Sequence, residues 1–229
     1  MVKYSICITN YNMKNTINPF MESVLNQIDS DFEVVVCDNF SDDGSREILE
    51  EYAKKGHIKL IVEHSSRGKG RQIAFENSNG EYIISGLDTD DVVKPTLKDV
   101  LKLYHAEHEG YALSFGTIHF IHRQLVEAVN GWRDLQWAED VDFCKRIESI
   151  GKMHYFHDDS VIIERRGHTN RGFAYKLKEE YRCCQSKYQV GLSLFRAPTT
   201  WYYRPIQFTV ALSALVVSKI KHTKRYKYN

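Results

Sequence analysis

The sequence of 229 residues has almost no excess charge, no paired-cysteine motif and no long apolar run. Its formal net charge of +1 gives no strong positive field of the kind that nucleic-acid-binding proteins carry, so nucleic acid is excluded as a partner. The five cysteines form no CxxC pair and no zinc-finger spacing, which favours a reducing, cytoplasmic location. A disulfide between Cys7 and Cys37 is the alternative if their two apolar runs pair.

The chain also lacks the segments that mark secreted and membrane-spanning proteins. The N-terminal MVKYSICITNYN has no charged region before a long apolar one, so no secretory signal is expected. The run FTVALSALVV near the C-terminus is shorter than the roughly 20 residues that cross a bilayer. No internal repeat is present. These absences leave a globular domain that can bury roughly 70 to 75% of its unfolded surface.

What the sequence does contain is a regular alternation of strand and helix patterns over its first hundred residues. The strand candidates YSICIT, EVVVC, IKLIV and EYIIS are short, β-branched and apolar throughout, as in strands that are covered on both faces. Three amphipathic segments separate them, and glycines close the later two. This order predicts an α/β fold with a mostly parallel central sheet and helices on both faces. In the second half, YALSFGTIHFI alternates like a strand and DSVIIERR is a further strand candidate.

Polar clusters follow three of these strands, at the end where ligands bind in parallel sheets. They are residues 9–12 (TNYN), 38–44 (DNFSDDG) and 87–91 (LDTDD). Thr9, Tyr11 and Asp38 are suited to a nucleotide base, with the ring stacking and the polar groups bonding the base edge. Taken singly, each is as well explained as a cap at a strand end.

The third cluster places three carboxylates, Asp88, Asp90 and Asp91, directly after a buried strand. An EF-hand calcium loop is excluded, because valines occupy the fifth and sixth positions of the loop that would start at Asp88. A solvated turn that caps the helix beginning near Pro95 is one interpretation. A Mg²⁺ or Mn²⁺ ion shared with the phosphates of a ligand is the other, since such ions take carboxylate and phosphate oxygens together.

The basic stretch RGKGRQI does not form a standard phosphate loop. It lacks the last glycine of a GxGxxG fingerprint and the GK[ST] ending of a P-loop. Arg67, Lys69 and Arg71 are therefore interpreted either as an exposed basic turn or as cations that face a nucleotide.

A second acidic group, AEDVDF, lies at the predicted start of a later helix. Glu139 and Asp140 there are favoured by the helix dipole alone, or one of them is a general base that deprotonates an attacking hydroxyl. His168, in RRGHTN, is either a solvent-exposed loop residue or a group that completes the metal shell or contacts a diphosphate.

Taken together, the motifs resemble those of the family 2 glycosyltransferases of GT-A fold. The resemblance covers roughly residues 4–169 and rests on four stretches in the family order: SICITNYN, VVVCDNFSDDGS, GEYIISGLDTDD and NGWRDLQWAEDVDFCKRI. It implies transfer of a sugar, normally a hexose, from a nucleotide-diphospho-sugar to an acceptor hydroxyl with inversion.

The resemblance also implies a role for each matching residue. Thr9, Tyr11, Asp38 and Arg71 would hold the nucleotide base, Asp88 would touch the ribose, Asp90 would bind Mn²⁺ or Mg²⁺, and Asp140 would deprotonate the acceptor hydroxyl. Apart from the resemblance, Glu139 is expected to contact substrate and His168 to bind the same ion. Asp91 would lie behind the metal ligands. Asn39 and Phe40 depart from the family's Asp and Gly, which weakens the expected contacts there. No QxxRW motif is present, so non-processive transfer is expected.

Two alternatives to a glycosyltransferase remain at this level: a nucleotide-sugar binder without catalysis, and a sugar-phosphate nucleotidyltransferase. The presence of Asp140 disfavours the first, and the missing glycine-rich loop near the first strand disfavours the second. The expected donor is a UDP-sugar, with a GDP-sugar as alternative, and the expected acceptor is a saccharide, a glycoprotein or a lipid-linked glycan.

The expected domains are a catalytic domain at 1–169, divided at residue 91 into a nucleotide half and an acceptor half, and a helical region at 170–229. In the latter, WYY, the apolar run and KIKHTKRYKYN form a pattern that fits a peripheral membrane contact. Packing on the domain or on a second subunit in a homodimer explains the same pattern equally well.

Overall fold

The computed structural model describes residues 2–156, 158–165, 181–185, 188–190 and 212–219. Its first half consists of four strands joined by three helices. The strands are β1 (Tyr4–Asn10), β2 (Phe32–Asp38), β3 (Lys59–Val62) and β4 (Tyr82–Ser85). The helices are α1 (Ile17–Leu25), α2 (Ser45–Lys54) and α3 (Arg67–Glu76). All seven correspond to segments that the sequence patterns predict.

The second half is less regular and carries shorter elements. In order along the chain they are β5 (Asp91–Val93), α4 (Leu97–Leu103), a π-helical turn (Tyr104–His108), β6 (Ala112–Phe115), β7 (Ile118–His122), α5 (Arg123–Ala128), α6 (Glu139–Ser149), β8 (Met153–Phe156), a 3₁₀ turn (Asp159–Val161) and β9 (Ile163–Arg165).

Seven of the nine strands form one sheet in the order β3-β2-β1-β4-β7-β6-β8, and β5 pairs with β9 in a separate ribbon. The pairs β1 with β2, β1 with β4, β2 with β3 and β6 with β8 are parallel, while β7 runs antiparallel to both of its neighbours. The prediction of a mostly parallel central sheet is confirmed.

Side chains alternate along each strand between two hydrophobic layers, which places helices on both faces. Ile6 and Ile8 face the layer that contains apolar residues of α1, α2 and α4. Cys7 faces the other layer, together with Ile73 of α3 and Phe143 of α6. Because α3 and α6 cover the same face, residues at their N-terminal ends can meet above the carboxyl edge of the sheet.

Three expectations need correction. The segment YALSFGTIHFI is not one strand but the hairpin β6–β7, which turns at Gly116, a residue with φ of +58°. The candidate DSVIIERR is divided into a 3₁₀ turn and the short strand β9. The alternative of a Cys7–Cys37 disulfide is also wrong: both are free cysteines, and Cys7 lies opposite Val35 while Cys37 lies opposite Thr9.

The predicted C-terminal region lies mostly outside the described residues, as does His168. Residues 181–185 and 212–219 are helical, and Cys184 packs with Ala214 and Tyr181. Leu212 and Val216 are exposed. In the part of the chain that the structure describes, no helix has the length and apolar character needed to cross a membrane.

Candidate active site at the carboxyl edge of the sheet

The three aspartates after β4 converge at the carboxyl edge of the sheet. Asp88, Asp90 and Asp91 each offer a carboxylate oxygen, and these atoms lie within 4.8 Å of one another. Asp90 and Asp91 are buried, and Asp88 is partly exposed. Mg²⁺ binds oxygen at about 2.1 Å, so ligands on opposite sides of the ion lie about 4.2 Å apart. The donor set fits a small divalent cation with only slight rotation of the side chains.

A glycine makes the turn into this cluster possible. Gly86 has φ of +82°, and a Cβ there would lie 1.8 Å from the carbonyl oxygen of Thr117 in the β6–β7 hairpin. Any side chain would therefore collide with backbone, in addition to the strain of the left-handed conformation. The turn is closed by a hydrogen bond of 3.1 Å from the Asp91 amide to the Asp88 carbonyl. This geometry holds the carboxylates of one short loop together.

The second acidic group begins α6 and meets α3 through a buried ion pair. Nη1 of Arg71 lies 2.6 Å from Oε1 of Glu139, and both side chains are buried. Burial raises the pKa of Glu139, with Arg71 opposing and Asp140 adding to that shift. Burial alone would lower the pKa of Arg71, but the carboxylates of Glu139, Asp140 and Asp88 outweigh it and raise that pKa. The Arg71 charge therefore acts on both acidic groups.

Close backbone packing explains why Arg71 and Glu139 meet. The Gly68 amide in the first turn of α3 donates to the Leu135 carbonyl at 2.9 Å. A Cβ at Gly68 would lie 2.0 Å from the Arg133 carbonyl oxygen. Only glycine allows the start of α3 to lie against the segment before α6.

Asp140 differs from its neighbours in the same helical turn. It is only partly buried, and its Oδ1 accepts from the Val141 amide at 2.8 Å. Asp142, by contrast, is fully buried and paired with Arg133 and Arg146 at 2.9 and 2.8 Å. Among the described residues, Asp140 has no ion pair within 4.0 Å, in contrast to Glu139 and Asp142.

The predicted base-binding residues lie at the ends of β1 and β2. A Cβ added to Gly70 would lie 2.8 Å from Thr9 Cγ2, which shows how closely α3 approaches β1. Tyr11 is 55% exposed. Asp38 is fully buried, and its carboxylate accepts from Asn10 Nδ2 at 2.8 Å, Ser41 Oγ at 2.6 Å and the Ser41 amide at 2.9 Å.

The structure thus places Glu139 in contact with Arg71, with Asp140 and Asp88 near enough for their charges to act on Arg71, and places Thr9 next to the same helix. The other two basic residues of α3 have separate contacts. The guanidinium of Arg67 lies 3.9 Å above the Trp137 ring, and Lys69 pairs with Glu63 at 2.7 Å. The individual roles expected of the site residues stay predictions.

Sequence reasoning did not single out His119, which lies on β7 beneath this site. It is buried, and its Nε2 lies 3.0 Å from the Cys144 sulfur. Burial lowers its pKa to about 4, with Asp140 opposing the shift and Arg71 adding to it. Burial also raises the pKa of the Cys144 thiol, so the thiol is protonated and the imidazole is neutral. A histidine between two apolar residues of a strand was the available signal.

A model of the family described as "Glycosyl transferase family 2" matches residues 5–124, just over half of the chain. The chain belongs to glycosyltransferase family 2. The matched range contains the ends of β1, β2 and β4 with the three aspartates, and it stops before α6. The resemblance inferred from the sequence motifs is confirmed.

Two curated relatives of this family 2 chain illustrate how much of a longer protein it covers. TarS of Staphylococcus aureus, a poly(ribitol-phosphate) beta-N-acetylglucosaminyltransferase, is 32% identical over 119 residues, which are 49% of this chain and 21% of TarS. WfaP of Escherichia coli, named UDP-Glc:alpha-D-GlcNAc-diphosphoundecaprenol beta-1,3-glucosyltransferase, is 27% identical over 180 residues, 77% of this chain and 66% of WfaP. The chain aligns with only about a fifth of TarS.

Solved structures show the same fold. TarS 1-349 in complex with UDP-GlcNAc superposes with a TM-score of 0.62 at 17% identity, over 93% of this chain and 72% of that chain. The mannosyltransferase PcManGT of Pyrobaculum calidifontis, in complex with GDP-Man and Mn²⁺, gives a TM-score of 0.66 at 18% identity, over 95% and 75% of the two chains. The GT-A fold is confirmed.

Proposed function

We propose that this family 2 protein is an inverting, non-processive glycosyltransferase that moves a hexose from a nucleotide-diphospho-sugar to an acceptor hydroxyl with a divalent cation. The observation that carries the proposal is the convergence of Asp88, Asp90 and Asp91 at one sheet edge, with Asp140 at the start of α6 beyond Arg71. One acidic group suits a metal and a diphosphate, and the other suits a base.

Asp90 is the proposed metal ligand, with Asp88 toward the ribose and Asp91 behind them. A bound Mn²⁺ or Mg²⁺ would offset the negative charge that develops on the diphosphate as the glycosidic bond breaks. The three carboxylates fit this ion, and the burial of Asp90 and Asp91 lowers the local dielectric and strengthens the attraction. His168 keeps its predicted role as a metal or diphosphate contact.

Asp140 is the proposed general base. Its carboxylate accepts the proton of the acceptor hydroxyl, whose oxygen then attacks the sugar carbon from the face opposite the diphosphate, which inverts the configuration. The Asp140 carboxylate is only partly buried, and its Oδ1 accepts a hydrogen bond from the Val141 amide at 2.8 Å, so part of it is open to an acceptor hydroxyl.

Glu139 and Arg71 are the proposed donor contacts between these groups. Because Arg71 remains charged in a buried ion pair, it can hydrogen-bond the edge of the nucleotide base while Glu139 fixes the orientation of the guanidinium. Thr9, Tyr11 and Asp38 complete the base site in this proposal, with the exposed Tyr11 ring as the stacking partner.

A UDP-sugar is the favoured donor, since TarS was solved with UDP-GlcNAc, and a GDP-sugar is the alternative that the PcManGT complex supports. The diphosphoundecaprenol acceptor in the name of WfaP supports a lipid-linked glycan. A lipid-linked acceptor agrees with a cytoplasmic protein that touches the membrane through its C-terminal segment. A catalytic domain at 1–169, a helical region at 170–229 and a homodimer contact belong to the same proposal.

A donor panel tests the proposed function. Incubating the full chain with UDP-, GDP- and dTDP-hexoses should release nucleoside diphosphate from one class only when Mn²⁺ or Mg²⁺ is present, and EDTA should abolish the release. Binding without release, across added glycan acceptors, would indicate a non-catalytic binder. Formation of pyrophosphate from a nucleoside triphosphate and a sugar phosphate would indicate a nucleotidyltransferase instead.

A further inference from the structure

Two loops at the carboxyl ends of β2 and β3 present a pair of stacked rings to solvent. The ring centroids of Phe40 and His64 lie 4.1 Å apart with an angle of 23° between the planes. Phe40 is 42% exposed, and His64 is also exposed. A large apolar ring held flat against an imidazole at the surface leaves its other face open to a planar partner.

Hydrogen bonds to neighbouring loops hold this ring pair in place. The Asn39 amide donates to the Asn10 carbonyl at 3.0 Å, and Asn39 Oδ1 accepts from the Ser65 amide at 3.0 Å. Asn39 therefore joins the loop that carries Phe40 to the end of β1 and to the loop that carries His64. The two rings are preorganised before any ligand arrives, which reduces the entropy lost on binding.

Further hydrogen bonds between the loops bring the Phe40 loop next to Tyr11. Asn12, the residue after Tyr11, donates its amide to Ser41 Oγ at 3.0 Å and exchanges two side-chain hydrogen bonds with Asp42 at 2.8 and 3.1 Å. Since Asn10 lies opposite Asp38 in the parallel register, the loops that follow them leave the sheet side by side. Two exposed aromatic residues thus flank one loop assembly.

The backbone conformation of Phe40 is strained. Its φ of +50° lies in the left-handed region, where a β-carbon is unfavourable and glycine is preferred. With 42% of its surface exposed, Phe40 gains only part of the burial that could offset that strain. Strained residues of this kind concentrate at ligand sites.

We infer that Phe40, backed by His64, forms an aromatic platform on which the base of the nucleotide donor stacks. The inference rests on the proposed function and names a base contact beyond Thr9, Tyr11, Asp38 and Arg71. The buried Asp38 carboxylate already accepts three hydrogen bonds, so stacking carries a larger part of base binding. Because every base has a π face, the platform serves uracil and guanine alike.

Calorimetric titration of UDP, GDP and pyrophosphate in the presence of Mn²⁺ tests the platform. Phe40→Ala should weaken UDP and GDP about tenfold, the lower end of what base stacking contributes, and leave pyrophosphate within twofold. Phe40→Trp should keep wild-type affinity. His64→Ala should have a smaller effect in the same direction, since it only supports the ring.

Two further variants separate binding from folding. Phe40→Gly relieves the left-handed backbone strain, so its melting temperature should not fall while its UDP affinity falls about tenfold. Phe156 is the matched control: it is 39% exposed and stacked on Phe115 at 4.9 Å, on strand β8 at the far edge of the sheet. Phe156→Ala should bind UDP as the wild type does.

Unchanged UDP affinity in Phe40→Ala, or an equal loss for UDP and pyrophosphate, would overturn the platform and leave the proposed function in place. If the wild type binds pyrophosphate with Mn²⁺ but neither UDP nor GDP more tightly, the proposed function fails and the platform fails with it.

Discussion

The two acidic groups of the site, Asp88 to Asp91 after β4 and Glu139 to Asp142 in α6, differ in the positive charges that lie beside their carboxylates. In the turn after β4, three carboxylate oxygens are brought within 4.8 Å of one another. At the start of α6, the protein supplies its own cations, with Arg71 on Glu139 and with Arg133 and Arg146 on Asp142. The first arrangement suits an external cation, and the second isolates Asp140 between neutralised neighbours. In the proposed function, the metal belongs to the first group and the general base to the second.

The largest effect should come from removing the base. Asp140→Asn keeps the shape of the side chain and loses the proton acceptor, so turnover with the best donor and acceptor should fall about a thousandfold, or about 4 kcal/mol in the activation free energy. UDP affinity should stay within twofold, measured by calorimetry beside steady-state kinetics. Asp99→Asn, an exposed aspartate of α4, is the control. Normal turnover together with lost UDP affinity would show that Asp140 binds the donor and is not the general base.

Breaking the internal ion pair should have the next largest effect. Arg71→Met leaves the Glu139 carboxylate buried without its partner, and the free energy of unfolding in urea should fall by about 3 kcal/mol. The double variant Arg71→Met with Glu139→Leu removes both charges and should recover most of that loss. If the double variant is as unstable as the sum of the two single variants, the pair is not the source of the effect.

Removing a metal ligand tests the other half of the contrast. Asp90→Asn should weaken Mn²⁺ binding about a hundredfold, or about 2.7 kcal/mol, because one of the converging carboxylates loses its charge. Calorimetric titration with Mn²⁺ alone measures this without any activity assay. Asp42→Asn, an exposed aspartate at the same sheet edge, should bind Mn²⁺ as the wild type does. Equal Mn²⁺ affinity in the wild type and Asp90→Asn would show that Asp90 is not a metal ligand.

The smallest effect concerns His119 beneath both groups. Its pKa is about 4 in the folded protein, against an ordinary histidine pKa of 6.5 in an unfolded chain. Between pH 7 and 5 the unfolded state therefore takes up a proton that the folded state does not. The free energy of unfolding should fall by about 2 kcal/mol over that range through this residue. Cys144, Asp140 and Arg71 are the groups that act on it.

Urea unfolding at pH 7, 6 and 5 measures this loss. His119→Gln removes the titrating group and should flatten the pH dependence, whereas the exposed His57→Gln should leave it as in the wild type. Parallel pH profiles of His119→Gln and the wild type would show that His119 is not the group responsible.

Local patterns were sufficient for the parallel half of the fold. The strands β1 to β4 appear as continuous apolar runs, and the Ser66 hydroxyl caps α3 by accepting from the Lys69 amide at 3.1 Å, a signal contained in neighbouring residues. The antiparallel half was only partly predicted. Hairpin β6–β7 was interpreted as one strand because Gly116 lies inside an otherwise alternating pattern, and β5 and β9 are too short to show a period.

The sequence was sufficient to recognise the acidic clusters of the site. It did not indicate which side chain each acidic residue would contact in the folded protein. The sequence contains Asp88, Asp90, Asp91, Glu139 and Asp140 as two clusters, but nothing near Glu139 indicates that Arg71 is its counter-ion. His119 was overlooked for the same reason, since its sulfur partner lies on a different element.

By itself, the sequence determined the order of strands and helices, the family motifs and the residue types at the carboxyl ends of the strands, because hydrophobic period, glycine placement and capping act between neighbours. Only the tertiary structure decided which carboxylates converge, which of them form ion pairs with arginine, and which aromatic rings stack at the solvent-exposed surface. Those outcomes depend on backbone contacts such as that of Gly68 with Leu135, between residues that are remote in the chain and close only after the sheet is covered.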